Sequence, residues 1–321
     1  MKNYLFLIAF SSSAFAGTPE NPCNPARGIV GKTSPNNIDS ILAGVSRTGS
    51  DFINPVDFVT IPGISASSKD GLILDNPSQN TITGKDHYHL FNPTPDALLR
   101  DLSPDRPDAT ESPITVDAGR FALEMSLFDY RRDGGVESTT WGAINFKAGL
   151  TANTDLQTVF NLYDGTEGGP DGFGDVTLRL KHNIWGNDGG STAFAVMPFI
   201  KIPTGELSND EWEGGLILPF AMELSDTVGL GLMAEIDYLH NGSDYEFEFL
   251  HTAVLGVSLT KTIGAYAEYI GIWQEDAYEA YAAGGMNYAV SDDLILDFGI
   301  QAGLNSDSED LGFFTGFTKR F

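Results

Sequence analysis

From about residue 117 to its end, the chain is a succession of short stretches in which apolar and polar side chains alternate, separated by turn residues. Alternation of period two sends successive side chains to opposite faces of a strand. The pattern therefore specifies β-strands with one oily face. The clearest stretch runs from Leu294 to Asn305: Leu294, Leu296, Phe298, Ile300, Ala302 and Leu304 share one face, while Ile295, Asp297, Gly299, Gln301, Gly303 and Asn305 share the other. Two architectures accept such strands. In a soluble sandwich the oily face packs on a second sheet, whereas in an outer-membrane barrel it meets lipid and the polar face lines a lumen.

The full set of strands favours the barrel. Twelve stretches fit, at about 120–130, 140–150, 155–164, 174–185, 192–203, 213–224, 228–239, 246–259, 262–273, 278–290, 293–304 and 312–321. Connections after the even strands are short: Thr151–Thr154, Gly186–Gly190, Ser225–Thr227, Thr260–Lys261 and Ser291–Asp292. Those after the odd strands are mostly longer and acidic, as in Asp164–Asp171. Tight periplasmic turns alternating with larger external loops produce this rhythm, and an even strand number puts both chain ends on the periplasmic side. The expected fold is an all-β transmembrane antiparallel barrel over residues 117–321, behind an irregular N-terminal extension.

Charge and aromatic placement agree with a lipid face. Ile144, Phe146, Ala148 and Leu150 alternate with Asn145, Lys147 and Gly149, and Leu230, Leu232, Ala234 and Ile236 alternate with Gly231, Glu235 and Asp237. A Lys or Arg facing lipid at the bilayer midplane costs about 2–4 kcal/mol, so charges keep to the lumen parity. Trp141, Tyr163, Trp185, Trp212, Tyr238, Tyr269, Trp273 and Tyr288 fall near strand ends, where interfacial aromatic belts sit. The chain ends on Phe321, with Phe313 and Phe317 at the same parity, an arrangement similar to the C-terminal signal read by barrel-insertion machinery. Lys319 departs from that pattern, and a Lys near the interface can snorkel.

The N-terminus and composition narrow the compartment and the partners. Lys2, the apolar run Tyr4–Phe10, then Ser11–Ser13 and Ala14–Phe15–Ala16 before Gly17 read as a secretory signal peptide over residues 1–16. The outer membrane of a Gram-negative-type bacterium is the expected destination. With 44 Asp+Glu against 18 Lys+Arg and a net charge of −26, nucleic acid is excluded as a partner, because phosphate binding needs clustered cations. The one cysteine, Cys23, excludes an internal disulfide and a Cys-rich zinc site. Residues 17–116 are rich in Pro, Asn, Ser and Asp and predict irregular structure, with one short helix at Asp96–Asp101.

Several runs are shared with a known family. They are Ser103–Pro113 (Ser-Pro-Asp-Arg-Pro-Asp-Ala-Thr-Glu-Ser-Pro), Val116–Glu124, Gly172–Lys181, Pro198–Gly205 and Ala265–Tyr269. Together with the Leu296–Asp297 strand they resemble the bacterial outer-membrane "transporter" family named after the meta-pathway of phenol degradation, over about residues 93–321. The resemblance implies a barrel that moves small, often aromatic, molecules. It brings no catalytic residues, and neither cofactor nor metal is expected. The expected partners are outer-membrane lipid, the insertion machinery and a small-molecule solute.

By parity the lumen charges sort into two arcs. Arg120, Lys147, Arg179, Lys181, Lys201 and Arg320 lie on strands one to five and twelve, which adjoin on closure; Glu223, Glu235, Asp237, Glu268 and Asp297 lie on strands six to eleven. Glu124 and Asp175 break the rule on the basic side. Facing arcs of opposite sign either set a transverse field across an open pore or pair to fill a closed structural barrel. The segment carrying Asp105, Arg106, Asp108, Thr110 and Glu111 either folds back as a plug, with Arg106 on an acidic residue and the carboxylates on the basic arc, or stays a solvated periplasmic linker.

Other function classes have less support. His182 and His251 fall on the lipid parity with no Ser of matching depth to make a catalytic pair, so an enzyme is not expected. Asp86–His89 holds two His at i and i+2, a weak metal pattern that surface histidines explain as well. Ser306–Asp310 lacks the ligand spacing of a calcium loop and reads as a solvated loop. An autotransporter would carry a repetitive passenger ahead of the barrel, and the preceding residues show no repeat.

Overall fold

The computed structural model describes residues 84–275 and 277–321; the expected signal peptide over residues 1–16 and Cys23 lie outside the described residues. Twelve long strands follow one another: β1 (Phe121–Asp133), β2 (Val136–Thr151), β3 (Thr154–Thr166), β4 (Val176–Trp185), β5 (Thr192–Ile202), β6 (Glu213–Ser225), β7 (Val228–His240), β8 (Tyr245–Ser258), β9 (Ile263–Trp273), β10 (Tyr278–Ser291), β11 (Leu294–Gly303) and β12 (Leu311–Arg320). Each pairs antiparallel with the next. β12 then pairs with β1, from Ala122 opposite Arg320 to Arg132 opposite Leu311. The Phe321 amide donates to the Phe121 carbonyl at 2.8 Å, extending this seam to the last residue.

A closed ladder of this kind leaves no strand edge, the condition for placing a sheet in hydrocarbon. Outward side chains such as Leu232, Ile236, Leu296, Phe298 and Ile300 are exposed, while their strand neighbours are buried. No second sheet covers the oily face among the described residues, so the sandwich alternative is set aside. Trp141, Tyr163, Trp212, Tyr238, Tyr269 and Trp273 ring the end opposite the chain termini, and Trp185 and Tyr288 stand at the terminal end; all are exposed. Trp212 sits in the connection before β6 rather than on a strand.

The connection rhythm is coarser than the sequence suggests. β1 and β2 run on to Asp133 and Val136 and close through Gly134–Gly135, both at positive φ (54° and 93°). There Arg131, Arg132, Asp133 and Glu137 continue the ladder without alternation, because a strand that rises out of the bilayer has no lipid face to maintain. Between β3 and β4 the direct ladder covers only Thr154–Val159 against Thr177–His182. Farther up, Asp164 and Gly165 pair with Gly172 and Asp171 instead. At Asp96–Leu98 the chain forms one 3-10 turn rather than the expected helix through Asp101, since Leu99 is already extended.

Leu232→Arg, mid-strand on the lipid face, should lower the unfolding free energy in urea by about 2–4 kcal/mol in lipid vesicles. Val290→Arg near the interface should cost about 0–1 kcal/mol. Equal costs at the two positions would contradict the assigned bilayer depth.

Candidate functional site

Residues 104–115 are buried, and they lie inside the barrel. Pro104, Pro107 and Pro113 hold this segment out of regular structure. Its buried polar groups therefore need partners from the wall. On one side Asp105 forms ion pairs with Lys147 of β2 and, at 2.5 Å, with Lys181 of β4, and accepts from Gln157 Nε2 of β3 at 3.1 Å. The Asp105 amide donates to Glu124 of β1 at 2.8 Å, and Glu124 pairs with Lys147 at 2.8 Å. Glu111 accepts from Arg179 Nη1 of β4 at 2.7 Å and lies 3.6 Å from Lys181. Nearer the periplasmic end, Asn183 Nδ2 donates to the Pro113 carbonyl at 2.7 Å.

The opposite side of the segment meets the acidic arc. Arg106 grips Asp297 of β11 with two bonds, Nε to Oδ2 at 3.1 Å and Nη2 to Oδ1 at 2.8 Å. Thr110 donates its hydroxyl to Glu268 of β9 at 2.6 Å and lies 2.6 Å from the Thr252 hydroxyl of β8. The Ala109 amide donates to Glu268 at 3.2 Å. Gly316 of β12 makes room for Arg106, since a Cβ there would fall 2.4 Å from Nη2. The segment is thus bonded to both arcs, with Asp105 and Glu111 set against basic wall residues and Arg106 against an acidic one.

An apolar surface completes the interior. Met197 (β5), Ile217 (β6), Met233 (β7), Leu250 (β8) and Ile270 (β9) face inward and cluster with Ala109 and Ile114 of the segment. Parity alone does not reveal this surface, because these strands carry apolar residues on both faces.

Other expected lumen residues take different places. Arg120 precedes β1 and donates to the Thr94 carbonyl at 2.6 and 3.0 Å and to Asp96 at 2.5 Å; it belongs to the periplasmic end and not to the lumen wall. Arg320, although inward by parity, is held at the same rim by Asp293 (2.8 Å) and the Arg100 carbonyl (2.6 Å). Glu223 is half-buried beside the β6–β7 turn. Lys201 pairs with Glu213 near the external end. Asp175 lies just before β4, where it accepts from the amides of Thr204 and Gly205, both at 2.8 Å, and so ties two external connections together. Glu235 and Asp237 are buried on β7 with Arg179 in electrostatic reach. The two acids that broke the charge rule are thereby accounted for, Glu124 as a partner of the segment and Asp175 as a loop tie.

A second polar network, at the external mouth, escapes the sequence pattern. Arg131 binds Asp129 at 2.7 Å and approaches Glu309 at 3.4 Å, and Tyr281 donates to Glu279 at 2.5 Å. The β1 register slips between Ser126 and Phe128, which moves the inward parity to Asp129 and Arg131. Of the Ser306–Asp310 run, expected to be solvated, Ser306, Asp307 and Asp310 are exposed, but Ser308 and Glu309 turn inward and are buried, and Ser308 bonds the Ala280 backbone at 2.8 and 2.9 Å. Burial pushes the Glu309 carboxyl up to about 8, Arg131 opposing and Asp129 and Glu279 reinforcing.

The terminal mouth is tied by the residues before the segment. The Arg100 guanidinium reaches the Ala152 carbonyl at 2.6 Å and Asp188 at 3.0 Å, and Lys85 pairs with Asp117 and Asp188 at 2.9 and 2.7 Å.

Residues 104–321 match the family described as "Putative MetA-pathway of phenol degradation". The chain belongs to that family. The match starts at Pro104, so it takes in the buried segment together with the barrel. Comparison with the curated proteins yields no match. Among solved structures the chain is similar to the NanC porin (8% identity, 62% of this chain and 98% of that one, TM-score 0.47). It is similar also to the CymD monoaromatic hydrocarbon channel (11%, 63% and 88%, 0.39) and to the toluene transporter TbuX of Ralstonia pickettii (10%, 63% and 89%, 0.30).

In this member of the phenol-degradation family, Asp297→Asn should leave Arg106 buried without its counter-charge. Removing one partner of a buried pair costs about 3–5 kcal/mol, so the docked segment should loosen while the barrel persists. Cleavage by Glu-C protease after Glu111 should accelerate by at least tenfold over wild type in detergent micelles. Equal resistance in both proteins would contradict the docking contact.

Proposed function

We propose that this protein is a gated outer-membrane conduit for small apolar solutes, aromatic ones included, and not an enzyme. The observation that carries the reading is the lumen filling: a segment of the same chain occupies the interior through ion pairs and hydrogen bonds, beside an apolar wall surface. These contacts are of a kind that water can replace, so the filling is reversible in a way that a solid hydrophobic core is not. Inward apolar side chains are unusual in a barrel lumen, which is ordinarily polar. They suit a solute with a hydrocarbon face, and the family's description places its members beside phenol degradation. A purely structural barrel remains the second reading, favoured by the dense pairing of Asp105, Lys147, Lys181 and Glu124.

Uptake by intact cells separates the two, because lipopolysaccharide slows apolar compounds that cross simple liposomes freely. Cells expressing the wild-type protein should take up labelled toluene severalfold faster than vector controls, and faster still with the double variant D105N/E111Q, which weakens the basic-side grip. Sugar uptake should not change in the wild type. Toluene uptake at the control rate in both proteins would favour the structural reading.

A further inference from the structure

The buried segment carries one carboxyl that its surroundings do not neutralise. Asp105 and Glu111 each meet cations, but Asp108 is fully buried and neither of its oxygens accepts a hydrogen bond. The groups facing it are acidic or weakly so: Glu268 and Tyr266 from β9, and Asp105 from its own segment. Tyr266 lies in electrostatic reach of Asp108, Glu268 and Asp297 of β11 alike. The nearby cations are committed elsewhere, Arg106 to Asp297 and both Lys147 and Lys181 to Asp105. An ionised carboxylate is not stable in such a place, whereas a protonated one is tolerated.

We propose that Asp108 is a proton latch: protonated, it lets residues 104–115 dock in the lumen, and ionised it drives them out. The latch deepens the conduit reading by supplying its regulation, although the docking chemistry stands without transport. Burial holds the docked Asp108 carboxyl well above the usual carboxylate range, and Glu268 and Asp105 push it further. In the released, solvated segment the same group ionises near its ordinary value of about 3.9. Docking therefore takes up a proton. It is strongest at low pH and weakens as pH rises between the released and docked values, by up to about tenfold per pH unit for one proton. Asp105, Glu111 and Arg106 give up their wall partners on release, and comparison with Asp108→Asn isolates the part of the pH dependence that belongs to the unpaired carboxyl.

The test uses the full-length protein in liposomes with Cys23→Ser and Ala109→Cys. Ala109 is buried when the segment is docked, so labelling by a charged, membrane-impermeant maleimide reports release. The same measurement on A109C/D108N corrects for the intrinsic pH dependence of the thiol. The ratio of the two rates, A109C over A109C/D108N, should be lowest at pH 5 and at least tenfold higher at pH 8. A ratio constant across that range would overturn the latch. Should D108N not insert, Asp108→Ala serves instead: labelling of A109C/D108A should lose the extra rise that A109C shows between pH 5 and pH 8, and an equal rise in both proteins would overturn the proposal. Toluene uptake by intact cells expressing the same variants keeps the two ideas apart, since pH-dependent labelling with uptake no faster than vector controls supports the latch and removes the conduit.

Discussion

Closure of the hydrogen-bond ladder between β1 and β12 is the constraint on which the other features depend. In hydrocarbon every backbone N–H and C=O needs an internal partner, and a sheet meets that demand only by returning to its first strand. The return fixes an inside and an outside. Once Ala122 stands opposite Arg320, each alternating strand sends one parity of side chains to lipid and the other inward, so that Lys, Arg and Glu at bilayer depth must take the inward parity. The interior charges follow from the geometry of the wall, and they then need counter-charges of their own.

Those counter-charges come largely from one short stretch of chain. Asp105 and Glu111 answer Lys147, Lys181 and Arg179, while Arg106 answers Asp297. Buried pairs of this kind contribute little net stability over an apolar filling, but they make misplacement costly. The segment's position is thus specified by charge, while Ala109 and Ile114 cover apolar wall that would otherwise be wet. The proposed conduit requires two states of this filling, the docked one seen here and a solvated one. Gating needs such a pair of states, and an inert core does not have them.

Much of this architecture was legible in the sequence, because lipid on one side enforces alternation. The strands around Leu230–Asp237 and Leu294–Gly303 fall where the pattern puts them, and the arcs containing Lys147, Arg179, Lys181, Glu268 and Asp297 do face one interior. Alternation failed wherever the chain leaves the bilayer or slips register. Arg120 and Arg320 satisfy the parity but serve the rim. The irregularity beside Leu127 concealed Asp129 and Arg131, and the acidic look of Ser306–Asp310 gave no sign that Glu309 turns inward. The Pro-rich run had no periodicity to read. Its charge order alone, acid, base, acid, acid, offered a reason to look for opposing arcs.

Disulfide trapping tests most directly whether the segment lies in the lumen. The hydroxyls of Thr110 and Thr252 are 2.6 Å apart, close enough for cysteines at both positions to bridge, given a suitable backbone separation. In a Cys23→Ser background exported to the oxidising periplasm, T110C/T252C should form the cross-link nearly quantitatively, seen as a reduction-sensitive shift in gel migration. Both thiols remaining free to alkylate in a correctly inserted barrel would place the segment outside the lumen and contradict its docking.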